Sequence, residues 1–170
     1  ATPPEKAMAL TGLPLNALLQ SAQLNNPDSC VLTDRLPSER LLSDYAVSYH
    51  GISTTDYCLF GRVFWEIPRL GDAWAFQQST VVETLAYAGR EHILFWQNGR
   101  GRLREMQNLG VPVVITGLEA WGHAGVAVSQ MNALPVTLYS GQCFDDNTAV
   151  LVPHELDHLP AIWAYCSSQE

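Results

Sequence analysis

The spacing of apolar positions changes along the chain. Over residues 4–24, Ala7, Met8 and Leu10, then Leu15, Leu18 and Leu19, recur at helical intervals, with Gly12 and Pro14 breaking the stretch in two. Asn25-Asn26-Pro27-Asp28 predicts a turn. Ser38 fits the cap of a further helix that carries Leu41, Leu42, Tyr45 and Ala46 on one side and ends by Gly51. Beyond Gly51 the pattern shifts to short runs of β-branched and aromatic residues bounded by Gly, Asn, Asp or Pro. Strands are expected at Tyr57–Ile67, Ala75–Val82, His92–Trp96, Val111–Thr116, Gly125–Ser129, Val136–Tyr139 and Ala149–Val152. A short helix is expected over Arg102–Leu109 and a last one from Pro160, a favoured first-turn residue, through Tyr165. Helices at both ends of an antiparallel or mixed sheet give an α+β fold, organised as a helical leader over 1–50 and a mixed domain over 51–170.

Composition narrows the classes. At 170 residues, 47% hydrophobic and 15% charged, the chain can fill a core. No apolar run approaches the ~18 residues of a membrane-spanning helix, so no membrane partner is expected. The start, Ala1-Thr2-Pro3-Pro4-Glu5-Lys6, lacks the charged and apolar regions of a secretory signal. Without an initiator Met, it reads as part of a longer protein. Cys30, Cys58, Cys143 and Cys166 form no C-x-x-C pair, which predicts reduced thiols and a cytoplasmic location. The net charge of −8 argues against a simple basic nucleic-acid binder. The nine basic residues are one lysine, Lys6, and eight arginines, and arginine is the side chain of bidentate contacts to phosphate and guanine.

His154-Glu155-Leu156-Asp157-His158 matches the zinc-peptidase pattern, which needs both imidazoles one helical turn apart and a third ligand. Pro160 would break that helix just after the second His. The residues after His158 include no His or Asp, and Glu170 at the chain end is the one carboxylate among them. No zinc site is expected. Asp145-Asp146 beside Asn147 could hold a cation, though adjacent carboxylates in a turn are commonly a solvated loop. Dinucleotide, P-loop and nucleophile-elbow motifs are absent, and no catalytic residue is assigned.

Arg100, Arg102 and Arg104 alternate within Asn98-Gly99-Arg100-Gly101-Arg102-Leu103-Arg104. In an extended segment all three would share one face and could grip phosphates or read guanine. The alternative is a solvated arm balanced by Glu91 and Glu105. Five tryptophans, among them Trp96 before this cluster and Trp121 in a Gly-flanked loop, are anchors for a core or an interface, or stacking platforms for bases.

Four blocks then occur in an order that resembles the C-terminal region of large N6-adenine-specific DNA methyltransferases of the fused restriction–modification and BREX phage-defence type. Asn26-Pro27-Asp28, Leu41-Leu42-x-x-Tyr45-Ala46, and Gly51-Ile52-Ser53-Thr54-Thr55-Asp56 through Phe60-x-Arg62-x-Phe64-Trp65-Glu66 are similar to the segment G-x-x-T-G-D-x-x-x-F-x-R-x-W-W-E. Trp96-x-Asn98-Gly99-x-Gly101 resembles W-x-N-G-G. Trp121-Gly122-x-x-Gly125-Val126, Leu138-Tyr139-Ser140-Gly141, Phe144-Asp145, Pro153 and a closing Ala161-x-x-Ala164-x-x-Ser167-Ser168 follow. The likeness covers residues 25–170. It departs where Thr55 replaces the Gly of T-G-D, and in lacking the Asn-Pro-Pro-Tyr-type tetrapeptide and any Gly-rich S-adenosylmethionine loop.

The resemblance implies a target-recognition segment that positions double-stranded DNA for an upstream catalytic domain of the same chain. It implies DNA contact through Thr54, Thr55, Asp56, Arg62, Asn98, Arg100, Arg102, Arg104, Trp121 and Tyr139. S-adenosylmethionine would belong to the catalytic domain, with no cofactor on this segment, and the target adenine would be flipped out. Two further readings stand beside it: a protein-interaction module that binds no DNA, which the acidic charge suits, and remotely a zinc hydrolase through His154 and His158.

Overall fold

The β-branched and aromatic runs of the second half pair into two four-stranded sheets. The computed structural model describes residues 2–12, 17–24, 26, 31, 40–131 and 133–168. The chain divides into a unit of Ala1–Glu39 and a unit of Arg40–Glu170. In the first, helix α1 spans Pro3–Gly12 and α2 spans Gln20–Gln23. The Glu5 carboxylate accepts from the Thr2 amide at 2.7 Å, satisfying a donor at the start of α1. Leu15, Ser38 and, apart from Asn26, the expected turn at 25–28 lie outside the described residues.

In the second unit, one sheet has the order β1 (Ala46–His50), β8 (Thr148–Pro153), β5 (Gly125–Ser129), β6 (Val136–Tyr139), all antiparallel. The other has β2 (Gly61–Val63), β4 (His92–Phe95), β3 (Trp74–Gln78), β7 (Cys143–Phe144), antiparallel except that β7 runs parallel to β3. Helix α3 is one turn, Tyr57–Phe60, α4 spans Arg102–Asn108 and α5 spans Leu159–Ser167, with Pro160 in its first turn. The fold is α+β, with helices before, between and after the strands.

Several segments differ from the sequence expectation for reasons of tertiary pairing. The helix expected over Leu41–Ala46 is a single 3₁₀ turn at Leu42–Asp44, because the next five residues pair with β8 from Ala46↔Pro153 to His50↔Ala149. Residues 46–50, expected in the leader, are therefore a strand of the second unit. Tyr57–Ile67 is α3, then β2, then a 3₁₀ turn at Phe64–Glu66. Of Val111–Thr116, only Val114 pairs, with Ser53. The strand expected to reach Val82 stops at Gln78, and the chain then runs along the open edge of β6. There, Leu85 N donates to Val136 O and Leu138 N to Ala86 O. Buried Ser129 and Thr137 accept from the amides of Val81 and Ala88, and Gln78 Nε2 donates to the carbonyls of Ala88 and Gly89. The 79–91 segment so covers an edge that would otherwise template strand pairing.

One core cluster joins Ile52, Phe60, Leu94, Leu103, Val113, Ile115 and Cys143. A second gathers Ala120, Ala127, Tyr139, Phe144 and Val150, and a third packs Ile162 of α5 on Ala46, Val126 and Val136. Phe144 is fully buried, edge-on to Tyr139 with ring centroids 5.6 Å apart. Phe144→Ala is expected to destabilise the unit by about 3–5 kcal/mol, read from urea unfolding.

Candidate functional site

Two hydrogen-bonded crossings bring distant loops together. Ile52 N donates to Phe144 O, so that Ile52 and Asp145 form a parallel bridge, and Ser53 and Val114 exchange backbone bonds at 2.9 and 3.0 Å. The 53–57 loop is thereby set beside the turn at 145–147, and between them lies a cleft of about 340 Å³. Its walls include Thr54, Thr55, Tyr57, Ser79, His92, Asp145 and Asp146.

Each wall residue has a local reason for its position. Asp145 Oδ2 accepts from Ser79 Oγ at 2.5 Å and Oδ1 from Asn147 N at 3.2 Å, so this carboxylate organises its own turn and ties it to the end of β3. Burial is the main influence that raises the Asp145 pKa above the ordinary carboxylate range, opposed by the Ser79 hydroxyl. Tyr57 and His92 share a hydrogen bond of 2.9 Å between the phenol oxygen and Nδ1, their rings edge to face. Burial first, and the charge of Asp145 second, push the Tyr57 phenol up to about 12, which keeps it protonated at neutral pH. The Tyr57 ring lies flat against Gly61, where a Cβ would collide with it. Thr54 is 6% exposed and its hydroxyl makes no hydrogen bond among the described residues. Thr55 has φ +64°, a left-handed conformation that a β-branched residue rarely adopts, and its Oγ1 donates to Pro112 O at 2.7 Å.

The arginine cluster is not an extended strip. Gln97, Asn98 and Gly99 all take positive φ, forming a 3₁₀ turn after Trp96, and α4 begins at Arg102, whose amide donates to Gln97 Oε1. Arg102 and Arg104 therefore stand on a helix and do not share a strand face with Arg100. Arg104 is engaged with Gln107 Oε1 at 2.7 Å, whereas the Arg100 and Arg102 guanidiniums are exposed and make no hydrogen bond or ion pair among the described residues. These two line a second, open cleft of about 570 Å³ with Phe95, Met106 and Leu109.

Of the other residues expected at DNA, Asp56 and Asn98 are exposed, and Arg62 donates to the carbonyls of Cys58 and Gly61 at 2.6 Å. Tyr139 is 2% exposed, and its hydroxyl donates to Gln142 O, so it is a core residue and presents nothing to DNA. Trp121 packs on Trp96, with centroids 5.1 Å apart, and bridges two core clusters. It is partly buried between them.

The sequence reading missed Tyr57, Ser79 and His92 as site residues. They come from separate elements, and no local pattern links them. It also passed over Gln77, which is buried with both amide atoms lacking a hydrogen-bond partner among the described residues.

His154 follows the end of β8 with Nε2 3.2 Å from Ser43 O. His158 closes a 3₁₀ turn and packs against Tyr45. The two imidazoles thus lack the one-turn helical spacing that zinc chemistry requires. Among the described residues, no three His, Cys, Asp or Glu side chains gather as a metal site, and no helix is long and apolar enough to cross a membrane. No family model matches the chain, and no curated protein matches it.

Two outcomes follow from this geometry. Thr55→Ala and Thr55→Gly both lose the bond to Pro112, but only glycine relieves the backbone, so the Gly variant is expected to be more stable than the Ala variant by about 1 kcal/mol in urea unfolding. Asp145 binds its proton more tightly folded than unfolded. Its contribution is thus complete below the unfolded value, about 3.9, and is lost as pH rises through the raised folded value. Asp145→Asn is expected to flatten that decline in the urea midpoint measured against pH.

Proposed function

We propose that this chain is a DNA target-recognition segment of an adenine-specific DNA methyltransferase, cytoplasmic, acting beside a catalytic domain that binds S-adenosylmethionine. The observation that carries the reading is the backbone at Thr55. The T-G-D motif that this loop resembles has glycine there, and a φ of +64° is the conformation glycine adopts most readily. In the Trp96-x-Asn98-Gly99 block the residues shared with the motif, Asn98 and Gly99, take positive φ, as does Gln97, whereas Arg100, in the place of the motif's second glycine, does not. At Thr55 a side chain that differs from the motif thus keeps the backbone path that glycine favours.

In this reading Arg100 and Arg102, free of internal partners among the described residues, meet phosphates. The Thr55-Asp56 loop meets base edges. The segment fixes the register of the duplex, and methyl transfer to an extruded adenine belongs to the other domain. With a net charge of −8, affinity is weak and falls steeply with salt.

Binding of a labelled duplex, followed by anisotropy across about 50–200 mM salt, tests this. The double variant Arg100→Ala/Arg102→Ala is expected to weaken binding and to lower the slope of log affinity against log salt by about 0.9 for each phosphate that is no longer neutralised. An unchanged slope removes these arginines from the interface, and no binding at low salt overturns the reading. A second reading, a protein-interaction module, is favoured by one feature. Phe64, Trp65 and Phe76 are 48%, 64% and 46% exposed, with Phe64 centred 5.0 Å from Trp65 and 6.4 Å from Phe76. It predicts a complex that Trp65→Ser abolishes and duplex DNA does not displace.

A further inference from the structure

The second sheet has one face against the core and one that carries exposed rings. Ala75 of β3 and Leu94 of β4 pair in register and turn to the buried cluster. Their neighbours along each strand turn the other way, because side chains alternate. The register pairs on that other face are Trp74 with Phe95, ring centroids 5.1 Å apart, and Phe76 with Ile93. Phe64 and Trp65, in the 3₁₀ turn after β2, extend the ring layer beyond Phe76, with successive centroids 6.4 and 5.0 Å apart. Trp65, Phe64 and Phe76 are exposed, and Trp74 and Phe95 are half-buried. At its other end the layer runs into the open cleft of about 570 Å³, since Phe95 belongs to both. Arg100 and Arg102 line that cleft, exposed, and their guanidiniums make no hydrogen bond or ion pair among the described residues. Glu105 lines it too and pairs with neither.

A flat ring binds such a layer by stacking, and an anion binds the two arginines. Single-stranded nucleic acid carries both in every repeat, a base with two π-faces and a phosphate that links it to the next. A duplex does not fit the layer, because its bases are stacked on one another and present only their edges in the grooves. A protein partner would need apolar side chains for the sheet and separately placed carboxylates for the arginines. The net charge of −8 opposes a polyanion, so stacking supplies most of the affinity and few phosphates are neutralised. We infer that the ring-bearing face of the second sheet is a stacking platform for the unpaired bases of single-stranded nucleic acid, with the backbone of that strand anchored at Arg100 and Arg102. The inference goes beyond the DNA-recognition reading. It shares with that reading the phosphate contacts of these two arginines, and it does not need a duplex.

The test uses the whole chain and a dye-labelled oligothymidylate, with an abasic strand of the same length as the control, followed by anisotropy at several salt concentrations. Oligothymidylate is expected to bind with a slope of log affinity against log salt of about −1.4, or about 0.7 for each of two phosphates. The abasic strand is expected to bind at least about tenfold more weakly. Trp65→Ala, at an exposed side chain, should weaken oligothymidylate about tenfold with thermal melting unchanged, and Trp65→Tyr should keep the binding. Arg100→Ala/Arg102→Ala should flatten the salt slope, and Glu105→Gln should strengthen binding. No binding of oligothymidylate, equal binding of the abasic strand, or indifference to Trp65→Ala each overturn the inference. Self-association of the chain that Trp65→Ala abolishes and oligothymidylate leaves undisturbed overturns it too, because a second copy then owns the face. A duplex titration of the same sample separates the two claims. Duplex binding without oligothymidylate binding sinks the inference and leaves the DNA reading standing. Oligothymidylate binding without duplex binding does the reverse.

Discussion

The second unit depends on a three-residue crossing, Cys143-Phe144-Asp145. Its first two residues form β7 and run parallel to the end of β3, Asp145 N donates to Gln78 O, and Phe144 O accepts from Ile52 N. One short backbone stretch thus completes one sheet, bridges to the 51–55 segment and turns directly into β8 of the other sheet. Its side chains divide the same labour. Cys143 is buried in the cluster with Ile52 and Phe60, Phe144 in the cluster with Tyr139, and Asp145 turns to the cleft. The cost of holding a carboxylate half-buried at that crossing appears as its raised proton affinity, and the Ser79 hydroxyl limits it.

That crossing also explains why the candidate site is polar while its surroundings are not. Phe144 and Ile52, at 0% and 1% exposure, are the apolar residues on either side of the bridge, so the backbone is anchored by burial and leaves Thr54, Thr55 and Asp145 on the cleft side. The strained φ of Thr55 is sustained because the loop is tied at both flanks, by the Ser53–Val114 exchange and by Thr55 Oγ1 on Pro112 O. A sparsely populated backbone conformation persists only where its surroundings over-determine it.

Much of this fold was legible where local pattern and tertiary environment agree. His92–Phe95 and Gly125–Ser129 are apolar β-branched or aromatic runs inside their sheets, Val136–Tyr139 is one at an edge that the 79–91 segment covers, and Pro160 opens the last helix. The α+β class followed from them. Legibility failed where pairing partners are remote. Ala46–His50 became a strand only because β8 lies alongside, and Val111–Thr116, rich in valine, threads between neighbours with a single bridge. The arginine alternation misled because nothing in Arg-Gly-Arg-Leu-Arg forbids a helix. The left-handed turn before it, capped by Gln97, decides the matter. For the site, Thr54-Thr55-Asp56 and Asp145-Asp146-Asn147 each drew notice, but their convergence with Tyr57, Ser79 and His92 is a property of topology that no spacing in the chain records.

The pairing of β1 with β8 has a bearing on synthesis. Ala46 finds its partner at Pro153, and α5, which covers Ala46, comes later still. A ribosome adds about 5–20 residues per second, so the first strand leaves the tunnel seconds before the strand it must join. During that interval Val47 and Tyr49 have no β8 to pair with, and the ladder closes only once Pro153 has emerged. The strand that opens this unit is therefore among the last to be secured, because its pairing spans most of the unit's length.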